Sequence, residues 1–80
     1  MAKKAYHLYF SQKLIKEPIM FTVARDHNLL LNIRRAKITA DMGEATIELE
    51  GEAQAIAKAE KAFKDKGVKV DSVLGDIVEG

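Results

Sequence analysis

The chain contains no cysteine. That absence excludes a disulfide framework, a cysteine nucleophile, a thiolate metal site and iron–sulfur ligation by these residues. Proline occurs once and glycine five times in 80 residues, with no low-complexity tract. Neither sign of charge dominates: 13 Lys and Arg against 12 Asp and Glu leave +1, which does not favour a polyanionic partner. Long apolar runs are missing too. The longest are three residues, far short of a membrane span or a signal-peptide core. The basic start, MAKKAY, leads directly into a strand pattern, so the expected compartment is the cytoplasm. What is present is the make-up of one small soluble domain, 48% hydrophobic and 31% charged. A chain of this size hides only about 60% of the surface its unfolded form exposes, so its core must be well packed.

Alternation of apolar and polar residues predicts the first strand in AYHLYF, with Tyr6, Leu8 and Phe10 on one side and Ala5, His7 and Tyr9 on the other. SQKLIKEP reads as a connection. Pro18 suits the first turn of a helix, where its missing N–H has no partner to lose. Ile19, Met20, Val23, Ala24 and His27 then fall at helical spacing, and Asn28 can take the left-handed conformation that ends such a helix. In the next strand Leu29, Leu31 and Ile33 share one parity, whereas Ala36, Ile38 and Ala40 have the other. One extra residue near Arg34–Arg35, a β-bulge, would return the apolar set to a single face. DMGEA reads as a turn in which Gly43 supplies positive φ. ATIELEG alternates cleanly, with Ala45, Ile47 and Leu49 inward and Thr46, Glu48 and Glu50 outward. EAQAIAKAEKAFKDKG predicts an alanine-rich helix carrying an Ile56, Ala59 and Phe63 stripe, with Glu52 at its positive end, Lys64 and Lys66 at its negative end, and Gly67 stopping it. VKVDSVLGDIV predicts a last strand with Val68 and Val70 inward; nothing in the pattern places its tail beyond Gly75.

The order β-α-β-β-α-β in so short a chain predicts an α+β, ferredoxin-like fold: a four-stranded antiparallel sheet with two helices on one face. The second and fourth strands then form the edges. If Leu29, Leu31 and Ile33 pack beneath the helices, Asn32 points to the open face, together with His7, Tyr9, Glu48 and Lys69. Such a face is either wetted or covered by another subunit.

Catalysis finds little support. His7 and His27 have no companion nucleophile motif, and a small sheet offers little cleft in which acid and base groups can converge. Two histidines without a spaced third ligand do not define a metal site, and no cofactor is implied. RNA-recognition modules share this topology, and Tyr9, His7, Arg34, Arg35 and Lys37 would suit one. The third strand argues against it, because Thr46, Glu48 and Glu50 offer no stacking platform and repel phosphate. Arg34 and Arg35 have a plain structural use in guarding an edge strand against aggregation. Asn32 has one as an amide that satisfies backbone groups beside a bulge. The rival use of Asn32 is ligand recognition, since an amide can grip both ends of an amino acid. The residues themselves leave both open.

The run LLLNIRRAKITADMGEATIELEG, preceded by KEPIMFTVARDHN and followed by an alanine-rich helix and GVKVDSV, resembles the NIL domain family. That family is named for an Asn-Ile-Leu motif, here Asn32-Ile33-Arg34, so the chain departs from it at Arg34. The likeness extends from Ala5 to about Val78 and includes Pro18, Ala36 to Ile38, Gly51 and Gly67-Val68. It implies a ferredoxin-like, ACT-like fold and one freestanding NIL domain over residues 1–80. The family occurs as a regulatory, methionine-binding domain of the ATPase subunit of bacterial methionine importers, where the domains pair as dimers. It also occurs ahead of cluster-binding ferredoxin segments linked to sulfur insertion in homocysteine synthesis. The resemblance therefore implies a homodimeric, non-catalytic domain that senses methionine or a related sulfur amino acid, with Asn32 holding the polar head. Adjacency adds Leu30, Leu31 and Ile33 as apolar contacts and Arg34 as a carboxylate partner. The alternative is a protein-interaction module for an iron–sulfur or sulfur-transfer enzyme or a ferredoxin, with no small ligand.

Overall fold

The computed structural model describes residues 1–73, and the tail beyond Gly75 lies outside them. The chain runs β1 (Ala2–Ser11), α1 (Gln12–Ile15), α2 (Ile19–Asp26), β2 (Leu30–Ile38), β3 (Met42–Gly51), α3 (Ala53–Asp65) and β4 (Lys69–Ser72). The strands form one antiparallel sheet in the order β2-β3-β1-β4, the ferredoxin-like arrangement, with β2 and β4 at its edges.

Alternation puts Tyr6, Leu8 and Phe10 of β1 and Ala45, Ile47 and Leu49 of β3 on the helix-covered face. There they pack with Ile19, Val23 and Ala24 of α2 and Ile56, Ala59 and Phe63 of α3 in one buried cluster. Each large side chain so buried contributes roughly 1.5–3 kcal/mol. Among the described residues no polar or charged residue falls in this buried set. The chemistry of the molecule is therefore at its surface.

Both main helices end by the same device, which fixes where the following strand starts. At the end of α3, Val68 N–H donates to Phe63 O at 3.0 Å and Gly67 N–H to Lys64 O at 3.0 Å. Gly67 takes φ 95°. This is the Schellman pattern, in which a left-handed residue lets the chain turn back and cap loose carbonyls. At the end of α2, Leu29 N–H donates to Ala24 O at 2.8 Å and Asn28 N–H to Arg25 O at 3.1 Å. Asn28 fills the left-handed position there with φ 57°. Gly67→Ala is expected to cost about 1–2 kcal/mol, because a Cβ at that φ meets the carbonyl. A urea titration followed by circular dichroism reads this as a lower midpoint at unchanged slope.

Two local expectations are corrected. The connection after β1 folds into the short helix α1, drawn in because Leu14 and Ile15 pack against the core. The turn between β2 and β3 lies at Thr39–Asp41, so of DMGEA only Asp41 belongs to it and Met42 onward is strand. Thr39 makes that turn: its hydroxyl donates to Met42 O at 3.1 Å and accepts from Met42 N–H at 3.2 Å and Asp41 N–H at 3.3 Å. Gly43 consequently sits inside β3 opposite Phe10 and Ile38, without positive φ. Glu52, expected at the positive end of the alanine-rich helix, is the cap residue of α3, and its side chain makes no capping bond.

The bulge is present. Ile33 pairs with Ile47, Arg35 with Thr46, and Arg34 is the extra residue between them. Leu31, Ile33, Ala36 and Ile38 therefore oppose Leu49, Ile47, Ala45 and Gly43 on the helix-covered face.

Candidate functional site

The register of β2 on β3 places Asn32 opposite Glu48 on the open face. Asn32 Nδ2 donates to Glu48 Oε1 at 3.3 Å, and Arg34 Nη1 lies 3.7 Å from Glu48 Oε2. The amide is exposed and its bond is long, so this contact contributes at most a few tenths of a kcal/mol. A weak contact of this kind is readily exchanged for a ligand. The three groups together offer one carboxylate and two kinds of N–H donor, complementary to the ammonium and carboxylate of a free amino acid.

The expected site residues do not all meet. Leu30, Leu31 and Asn32 line one shallow depression of about 280 Å³ with Lys3, Glu48 and Glu50. Arg34 borders the neighbouring depression, with His7, Arg35, Thr46 and Val73. Ile33 turns to the other side of the sheet. There it lines an apolar groove of about 270 Å³ with Phe10, Ile19, Phe21, Leu31 and Ile38, whose charged liners among the described residues are Glu17 and Glu44. Strand alternation accounts for the separation, since neighbours in sequence project to opposite faces.

Further along the open face His7 stands between two partners. Its Nε2 lies 3.0 Å from Glu44 Oε1 and its Nδ1 2.9 Å from Thr46 Oγ1. A carboxylate only accepts, so Nε2 carries the proton and, in the neutral ring, Nδ1 accepts the threonine hydroxyl. The ring also contacts Tyr9, with centroids 4.7 Å apart, and Lys69 Nζ lies 5.3 Å from the Tyr9 ring. His7, Tyr9, Glu48 and Lys69 thus occupy the face on which the alternation put them. The alternation marks Glu48 only as an outward residue, although it is the group that Asn32 and Arg34 both address. Counting the β2–β3 register across the bulge would have paired it with Asn32. The apolar groove was also missed, because Phe21 and Ile38 come together only in the folded chain.

Fold and surface together define a ferredoxin-like α+β domain with a polar open face. Residues 4–72 match the NIL domain, and the chain belongs to that family. Among solved structures it is similar to the C-terminal domain of an ABC transporter ATP-binding protein from Enterococcus faecalis. The TM-score is 0.79 at 22% identity, over 91% of this chain and 86% of that one. At that identity the likeness speaks to the fold. No curated protein matches the chain.

Proposed function

We propose that this NIL domain is a non-catalytic regulatory module that binds methionine or a related sulfur amino acid at the Asn32 end of the open face. The observation that supports it is the meeting of Asn32, Arg34 and Glu48 around one exposed point. Glu48 would take the ligand ammonium, while the Asn32 amide and Arg34 would take its carboxylate. Leu30, 64% exposed beside Asn32, would lie along the thioether, and Leu31 would border the same depression. Ile33, on the opposite face, would support the strand rather than touch the ligand. The solved relative, a domain of an ABC transporter ATP-binding protein, is consistent with a regulatory role. In this reading the domain acts in the cytoplasm as a homodimer, and among the described residues no helix is long and apolar enough to cross a membrane.

The test is an NMR titration of labelled protein with L-methionine, with D-methionine and leucine as controls. Saturable, stereoselective shifts are expected at the Asn32 side-chain amide and along Leu29–Arg35. Asn32→Ala is expected to weaken binding by at least about tenfold, or 1.4 kcal/mol. Its unfolding free energy should change by less than about 0.5 kcal/mol, as for an exposed side chain. Absence of shifts at millimolar L-methionine overturns the reading.

A second reading rests on a different observation. Leu30, Ile33 and Ile38 of the edge strand are 64%, 47% and 61% exposed. An edge so equipped suits a docking module for an iron–sulfur or sulfur-transfer enzyme, in which no amino acid binds at Asn32.

A further inference from the structure

We infer that the outer edge of β2 is a docking strand for an extended segment of another protein in which apolar residues alternate with acidic ones. The inference gives chemical content to the docking reading and holds whether or not Asn32 also binds an amino acid.

Among the described residues β2 pairs only with β3, so along its nine residues one flank is open. A strand added there would run for about 30 Å and meet two different rows. On the helix-covered side it would lie over Ile33 and Ile38 and beside Phe21, which are 47%, 61% and 59% exposed. These are the large apolar side chains left open around the groove. On the other side it would meet Arg35 and Lys37, both exposed, with Arg34 beside them.

The inner flank shows what chemistry answers that pair of rows. There β3 lays Ala45, Ile47 and Leu49 along the apolar row, and sets Glu44 opposite Lys37 and Glu48 opposite Asn32. A strand on the outer flank meets the same β2 side chains from the other direction. The same alternation therefore fits: apolar residues over the groove, carboxylates toward Arg35 and Lys37.

A second copy of this chain fits less well. Pairing β2 with β2 would bring two Arg34-Arg35-Lys37 rows together, and like charges facing across strands are destabilising. The other edge, β4, has only four residues and carries Lys69 on the open face. Cationic side chains and a bulge are also the devices by which edges resist aggregation. The protective and docking readings agree that β2 rejects itself. They part over an acidic strand, which only the docking reading expects to bind.

The experiment titrates the labelled full chain, without methionine, with two end-blocked peptides. One is EATIELEG, the chemistry of Glu44–Gly51; the other is its charge-inverted counterpart KATIKLKG. The acidic peptide is expected to shift the backbone amides of Leu30–Ile38 and slow their exchange, with added salt weakening binding. The basic peptide is expected to bind at least about tenfold more weakly. The double substitution R35E/K37E, both at exposed positions, should reverse that preference. No shift at millimolar acidic peptide overturns the inference. So does equal binding of both peptides, or a response centred on His7 and Thr46. Because no amino acid is present, failure here is distinct from failure of the Asn32 site.

Discussion

Phe63→Ala is expected to remove about 3–5 kcal/mol of stability, the usual cost of deleting a fully buried phenyl group. Phe63 is 0% exposed and belongs to the cluster that joins α3 to β1 and β3. Its carbonyl also accepts the Val68 N–H that closes α3, and Val68 is itself buried. Ordinary domains keep only about 0.05–0.15 kcal/mol per residue in reserve, about 4–12 kcal/mol for 80 residues, so this loss takes a large share of it. Without disulfides, nothing covalent offsets it. Urea unfolding followed by circular dichroism should show a sharply lower midpoint, or a largely unfolded variant at room temperature. A loss below about 1 kcal/mol would mean that α3 does not pack on the sheet as described.

The second large effect is expected at high pH. Tyr6 is fully buried among the core side chains, and its hydroxyl donates to Glu60 Oε1 on α3 at 2.9 Å. Burial pushes its phenol well above the ordinary value of 10.0, and the hydrogen bond to Glu60 and that carboxylate's charge push the same way. The unfolded chain gives up this proton near its ordinary value, while the folded chain retains it. The stabilisation is therefore complete below about pH 10 and is lost progressively as the pH rises beyond it. Glu60 behaves in the opposite sense. Burial alone would raise its pKa, but hydrogen bonds from Lys64 and Tyr6 and the charges of Lys64 and Lys4 outweigh that and hold it below 4.5. Its contribution is present above that value and fades as the pH falls. Thermal unfolding from pH 7 to 12 should show a steep decline past pH 10. Tyr6→Phe should flatten that decline while costing about 1 kcal/mol at neutral pH, the worth of a partly solvated hydrogen bond. An unchanged alkaline limb in the phenylalanine variant would show that Tyr6 is not its source.

Much of this fold is legible in the residues, for reasons that can be named. The parity slip between Ile33 and Ala36 reveals the bulge, because a strand has a period of two and a buried face tolerates no error in it. Asn28 and Gly67 announce their helix ends, because few residues accept the backbone that a Schellman cap requires. The β2–β3 turn misleads for an equally physical reason. DMGEA has turn composition, yet the hydroxyl of Thr39 satisfies the turn one step earlier, and Gly43 continues the strand. The site is less legible than the fold. Asn32 stands out as an amide in an apolar strand, but Glu48 lies sixteen residues away and becomes its partner only through the register. The apolar groove depends on α2 lying across β2, which no local pattern encodes.

One consequence of the bulge concerns crowding. A regular strand displays a side chain on a given face only about every 7 Å, too sparse for several groups to converge on one small target. The extra residue in β2 relaxes that limit. It lets Arg34 and Arg35, adjacent in sequence, border one depression on the same face, with Arg34 two residues beyond Asn32. The irregularity thus gives a flat surface the local density of functional groups that larger proteins obtain from loops.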